Sequence, residues 1–270
     1  MTRLSLFAPV PLLAALVLAA PAAAQEAAPA GAAQTTPDIA APAAAPAITL
    51  AGSASLVSEY RFRGISQSDG KIAIQGGLAA TLESGFYVST WGSNLGGFGT
   101  YGGANLELDL IGGYKHSFGH TAVDGGLLYY VYPGTNGHDY AEPYFSVTES
   151  VGPGALKAGV AYAPKQRAIG NKDSVYVYGE ASAPIAHTPF TLRAHVGHTD
   201  GDGATPAGPT GSYTDYAVGS DVTYRMLTLN LSYVGSDVGR RAADAFYTGG
   251  SLSGHKITRG TLVAALTASF

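Results

Sequence analysis

Between residues 56 and 71 the chain reads LVSEYRFRGISQSDGK, in which Glu59, Arg61 and Arg63 fall at every second position with Leu56, Tyr60 and Phe62 between them. A period of two in polarity means a strand with unlike faces. Alternating segments recur at intervals of roughly twenty residues, each close to the ~9–11 residues of a membrane-crossing β-strand. Examples are KIAIQGGLAATL (71–82), ANLELDLIGGY (104–114), TAVDGGLLYYVY (121–132) and ALKAGVAY (155–162). SVYVYGEAS (174–182), FTLRAHVGH (190–198), YTDYAVGSDVTY (213–224) and LTLNLSY (227–233) continue the series. With 53–62, 86–93, 142–148 and the terminal run, the pattern predicts about twelve strands and no convincing amphipathic helix beyond Ile48.

The connections alternate in length. Short turns are expected at 83–85, 115–120, 150–154, 183–189 and 225–226, and long Gly-rich loops near 63–70, 94–103, 133–141, 163–173, 199–212 and 234–258. Short turns at one end and long loops at the other are the habit of outer-membrane barrels, turns periplasmic and loops outside. In ANLELDL, Leu106, Leu108 and Leu110 alternate with Asn105, Glu107 and Asp109. A soluble sandwich hides such leucines, whereas a membrane barrel turns them to lipid and the carboxylates to a wet lumen. The terminal RGTLVAALTASF puts Leu262, Leu266 and Phe270 on one face, as expected of a strand that closes a barrel and leaves no edge.

Composition sharpens this picture. Charged residues make up 13%, with 37 Gly, 17 Tyr and a single Trp, which suits a sheet whose outer surface does not face water. A formal charge of −4 gives no basic footprint for nucleic acid. The absence of Cys excludes disulfides, thiolate nucleophiles and thiolate metal sites. Ahead of the strands, Arg3, the apolar LLAALVLAA and the AAAQE step read as a cleaved export signal over residues 1–24. Residues 25–47 are an Ala/Pro-rich spacer that cannot bury a core, which leaves 48–270 for the barrel.

No motif supports catalysis. GFGTYG (97–102) is a literal G-x-G-x-x-G, but a strand follows it where a dinucleotide site needs a helix. TDGDGATPAG (199–208) offers only Asp200 and Asp202 as calcium ligands, with Gly211 where the bidentate acid belongs. His195 and His198 fall on opposite faces of one strand, so they share no metal, and there is no G-x-S-x-G elbow. The chain is therefore read as a non-enzyme without cofactor or metal. A lipid hydrolase on a twelve-stranded barrel is the weaker alternative, since no Ser–His pair stands on the lipid face.

The run Tyr60 to Gln67, the step Gln75-Gly76-Gly77, the turn Glu83 to Tyr87 and ELDLIGGYKH together resemble the TorF-like porins, a proteobacterial outer-membrane family. The likeness extends over the region beyond the spacer and implies a porin-like barrel, without naming a solute. The reading is thus an all-β, closed antiparallel barrel passing small hydrophilic solutes or ions, with a non-conducting structural or adhesive barrel as the alternative. Its partners would be outer-membrane lipid, a small hydrophilic solute and the barrel assembly machinery, whose signal Phe270 resembles. Alternation assigns to the lumen the acids Glu59, Glu107, Asp109, Asp124, Glu180, Asp215 and Asp221. It adds the bases Arg61, Arg63, Lys71, Lys157 and Arg193 and the amides Gln75, Asn105 and Asn230. Opposed acid and base patches are expected to set a transverse field across a constriction. Tyr60 and Phe62 are expected in the lipid-facing aromatic girdle, with GISQSDG as the first outside loop.

Overall fold

The computed structural model describes residues 48–201 and 208–270; the expected export signal (1–24) and the expected Ala/Pro-rich spacer (25–47) lie outside the described residues. The described chain folds into one closed antiparallel barrel of twelve strands. They are β1 (Ile48–Val57), β2 (Ala73–Leu82), β3 (Phe86–Asn94), β4 (Leu106–Phe118), β5 (Thr121–Val131) and β6 (Tyr140–Val151). The circuit continues through β7 (Gly154–Gln166), β8 (Lys172–Pro184), β9 (Phe190–Gly201), β10 (Ser212–Tyr224), β11 (Leu227–Ser236) and β12 (Thr261–Ser269). Each strand pairs with its sequence neighbours, and β12 returns to β1 in the register Ser53↔Ser269, Leu56↔Leu266. At the seam the Phe270 amide donates to the Gly52 carbonyl (2.9 Å) and the Gly52 amide donates to the Phe270 carbonyl (2.7 Å).

Connections at one end, 83–85, 119–120, 152–153, 185–189 and 225–226, are short. Those at the other end, 58–72, 95–105, 132–139, 202–211 and 237–260, are long, and the last carries α1 (Arg240–Phe246) and α2 (Gly254–Thr258). The expected long loop over 163–173 is missing from that end, because β7 and β8 run on and leave only 167–171 to connect them.

The outer face is inverted relative to a soluble protein. Leu50 is 76% exposed, Ile74 70% and Leu231 53%, an apolar surface far larger than water tolerates. Aromatics bracket it. Phe86, Phe118, Phe190 and Tyr224 stand outward at the turn end, and Tyr129, Tyr162, Tyr216 and Tyr233 at the loop end. Tyr216 and Tyr224 on β10 are eight residues apart, roughly 26 Å along a strand and less in height once tilted. That matches the ~25 Å apolar band between girdles of a membrane barrel.

Gly and Tyr frequencies are explained inside. Tyr87 stands opposite Gly113, Tyr144 opposite Gly126 and Tyr178 opposite Gly159 across the strand ladders. In each case a Cβ on the glycine would run into the tyrosine ring. Glycine here makes room for a ring laid flat over the neighbouring strand.

Leu231 lies opposite Ser220, midway between Tyr216 and Tyr224, and so near the middle of the apolar band. Leu231→Arg should lower the unfolding free energy in liposomes by about 2–4 kcal/mol, whereas Leu231→Ala should cost far less. Denaturant titration of both variants checks this; equal losses would contradict a lipid-facing Leu231.

Candidate functional site: the barrel lumen

After Val57 the chain does not continue upward. It turns into the barrel, and 58–72 forms a short hairpin pairing Arg61–Phe62 with Ile65–Ser66. Arg63 and Gly64 make its tip at positive φ, 47° and 76°. The Gln67 amide donates to the Tyr60 carbonyl (2.8 Å), and the Tyr60 amide donates to the Ser68 hydroxyl (2.9 Å). These bonds reverse the chain before a strand over 53–62 can complete itself. Tyr60 and Phe62 are consequently not girdle residues. Tyr60 is 1% exposed, donates to Glu107 (3.1 Å) and meets the edge of Trp91, while Phe62 packs edge-on to the inward Tyr130. GISQSDG lies within this infolded segment rather than forming a free outside loop.

Charge fastens the hairpin. Arg63 Nη2 donates to both carboxylate oxygens of Glu142 on β6 (2.8 Å each), Tyr130 donates to the same carboxylate (3.0 Å), and the guanidinium lies 4.0 Å from the centre of the Tyr176 ring. Arg61 donates to Glu59 (3.1 Å), the Gly64 carbonyl (2.7 Å) and the Arg259 carbonyl (3.0 Å). Arg63 and Glu142 are each 1% exposed, and removing one partner of so dry a pair costs about 3–5 kcal/mol. At its base Asp69 accepts from the Ser251 amide (2.8 Å), the Leu252 amide (3.0 Å) and the Ser251 hydroxyl. Ile65 packs with Tyr213, Val238, Ala243, Tyr247 and Ile257, so the segment holding α1 and α2 closes over the hairpin.

At this level the inward faces are dry all round. Leu128, Ala163, Tyr176, Thr199, Val234 and Ala73 are each at most 2% exposed. Glu107, Asp109 and Asp215 do face inward as the alternation predicts, but at 3%, 0% and 0% exposure they are packed rather than wetted. Asn105 precedes β4 and is exposed, and Lys71 precedes β2 with its side chain 67% exposed; neither is on an inward strand position. Gln75 points inward near Ser93.

The turn-side half differs. Lys115 stands opposite Asp124, which accepts from Tyr87 (2.8 Å). Lys157 Nζ lies 3.8 Å from Glu180, Glu180 lies 3.6 Å from His195, and His195 Nε2 lies 2.9 Å from Asp215. Arg193 pairs with Asp221, which also accepts from Asn230 (2.6 Å). Glu180 and Arg193 side chains are 34% and 31% exposed. Acids and bases therefore interleave along one wall, β4 to β10, where opposed patches were expected. The facing wall, β11, β12 and β1 to β3, carries only uncharged inward side chains such as Ser232, Thr267, Ser53 and Ser89.

The residues that sequence reasoning missed are Glu142, Lys115, Tyr130, Tyr176, Asp69 and Ser251. Glu142 had a signal, since Tyr140, Glu142 and Tyr144 share one face of β6; Asp69 and Ser251 are far apart in sequence and had none. GFGTYG forms two short 3-10 turns in the loop 95–105, with Gly99 pressed against the Gln67 backbone. The calcium-loop candidate falls largely on 202–207, outside the described residues. Among the described residues no group of three His, Asp or Glu is placed to hold a metal ion.

The sequence profile described as a bacterial protein of unknown function, Gcw_chp, matches residues 40–270. The chain belongs to the Gcw_chp family. No curated protein sequence matches this Gcw_chp chain. Among solved structures it is similar to the NanC porin in a rhombohedral crystal form, with TM-score 0.53 and 13% identity over 82% of this chain and 99% of that one. It is also similar to the KdgM porin in complex with disordered oligogalacturonate, with TM-score 0.50 and 9% identity over 82% and 98% of the two chains. At such identities the Gcw_chp barrel shares with these porins its architecture.

The Asp69 clamp sets a pH dependence. Burial alone would raise this carboxyl, but the hydrogen bonds from Ser251 and Leu252, with Lys71 alongside, hold it below its ordinary value. A depressed carboxyl contributes stability that is complete above its unfolded value and is lost as pH falls through the folded one. Protection of the Ser251 and Leu252 amides against hydrogen exchange should thus fall on acidification below about pH 4. Unchanged protection down to about pH 2 would contradict the clamp.

Proposed function

We propose that this barrel is an outer-membrane, porin-like channel for passive diffusion of small hydrophilic solutes or ions. The observation that carries the reading is the inverted sheet: an apolar band between two aromatic girdles outside, and a row of interleaved charges inside of which Glu180 and Arg193 are partly exposed. A soluble barrel gains nothing from either. The row of Lys157, Glu180, His195 and Arg193 facing a hydroxyl-rich wall suits polar solutes that exchange water for side-chain contacts one at a time. With twelve strands the lumen is narrower than in wide porins, which favours small solutes. On this reading residues 1–24 are an export signal, 25–47 a spacer, Phe270 a mark for the assembly machinery, and the chain is a TorF-like porin rather than an enzyme. The short turns then lie in the periplasm and the long loops outside.

A second reading, a non-conducting structural barrel, is favoured by the dry loop-side half. Planar-bilayer recording on refolded protein separates the two, since discrete conductance steps belong to a channel. In a salt gradient, Glu180→Gln should move the reversal potential toward anion preference and Lys157→Gln toward cation preference. Reversal potentials unchanged in both variants would mean that these side chains line no conducting path.

A further inference from the structure

We infer that the infolded segment 58–72 is a gate, with Arg63–Glu142 as its latch; the inference rests on the channel reading above. In this structure the hairpin occupies the loop-side lumen, and among the described residues the wall around it shows no wet passage: Leu128, Ala163 and Thr199, from three different strands, are each 0% exposed. Ions that enter from the turn side reach Glu180 and Arg193 and then meet the hairpin. Conduction through the barrel therefore requires the hairpin to leave its seat.

The seat is built to be left. Its two short strands pair with each other and lie outside the barrel ladder. The segment's backbone meets the rest of the protein where the Gly96 amide donates to the Gln67 carbonyl (2.8 Å) and the Ser58 amide donates to the Ala264 carbonyl (2.8 Å), and side-chain contacts hold the remainder. The contacts are polar and concentrated: Arg63 on Glu142, Tyr60 on Glu107, Arg61 on the Arg259 carbonyl and Asp69 on Ser251. Among the described residues, Arg63 Nε and Nη1 find no hydrogen-bond partner in the seated state. A guanidinium that regains water on leaving loses less by unseating than an apolar plug would. Glu142 likewise is dry only while the hairpin is in place. Removing Arg63 strands a buried carboxylate in the seated state alone and so biases the equilibrium toward the open one.

The chain has no cysteine, which allows a clean lock. In the full-length mature protein, Asp69→Cys combined with Ser251→Cys tethers the hairpin base to the segment above it. Single-channel recording with potassium chloride compares wild type, Arg63→Met and the cysteine pair, each confirmed as folded by heat-modifiable gel mobility. The expected result is rare openings in wild type, an open probability raised at least about tenfold in Arg63→Met, and silence of the oxidised pair that is relieved by reductant. If the oxidised pair conducts like wild type, or Arg63→Met opens no more often than wild type, the gate is wrong while the channel reading stands. If no variant conducts, reduced pair included, the channel reading fails and the gate falls with it.

Discussion

Every backbone amide and carbonyl that meets hydrocarbon must find its partner within the sheet, because no water is there to replace it. The bonds between Phe270 and Gly52 at the seam, and the β1–β12 register behind them, complete that requirement by removing the last edge. Once the sheet is closed, each inward side chain has a fixed address, and twelve strands enclose more space than those side chains fill unaided. The protein answers in two ways. Tyrosine rings laid over glycines thicken the wall, and the first long connection folds inward to occupy what remains.

The same closure divides the lumen by its electrostatics. Two unit charges about 4 Å apart interact by ~1 kcal/mol in water and ~4 kcal/mol at the effective dielectric near protein. Lys157 and Glu180, partly exposed and 3.8 Å apart, sit toward the weak end and can trade each other for solvent or solute. Arg63 and Glu142 sit toward the strong end, since no water competes with either. A weakly held row below a tightly held pair gives one wall that exchanges contacts readily and one junction that does not.

Much of this was legible in the sequence. Strand count and the facing of Leu106, Leu108 and Leu110 follow from period two, which pleating imposes on any sheet with unlike faces, and closure follows from the loop asymmetry and the terminal strand. Inward placement of Asp124, Lys157, Glu180, Arg193, Asp215, Asp221 and Asn230 follows for the same reason. Tyr60 and Phe62 misled because tyrosine and phenylalanine serve equally in a girdle and in a packed interior, and alternation cannot mark where a strand leaves the sheet. Wetness was also out of reach: Glu107 and Glu180 look alike in sequence, yet one lies under Tyr60 and the other opens toward the turns. That difference depends on the hairpin's seat, which joins residues such as Arg63 and Glu142 from distant parts of the chain.

An inside-out sheet with a wet turn-side lumen beneath a dry loop-side one gives β7 all three environments to sample. Single cysteines at Ala155, Lys157, Ala161 and Ala163 face inward and at Leu156, Ala158 and Val160 outward. Nitroxide labels at these positions in liposomes report collision with water-soluble or lipid-soluble relaxants. Lipid contact is expected at 156, 158 and 160, water contact at 155 and 157, and little of either at 161 and 163. Water contact at 156, 158 and 160, or uniform wetting of 155 through 163 on the inward face, would contradict that arrangement.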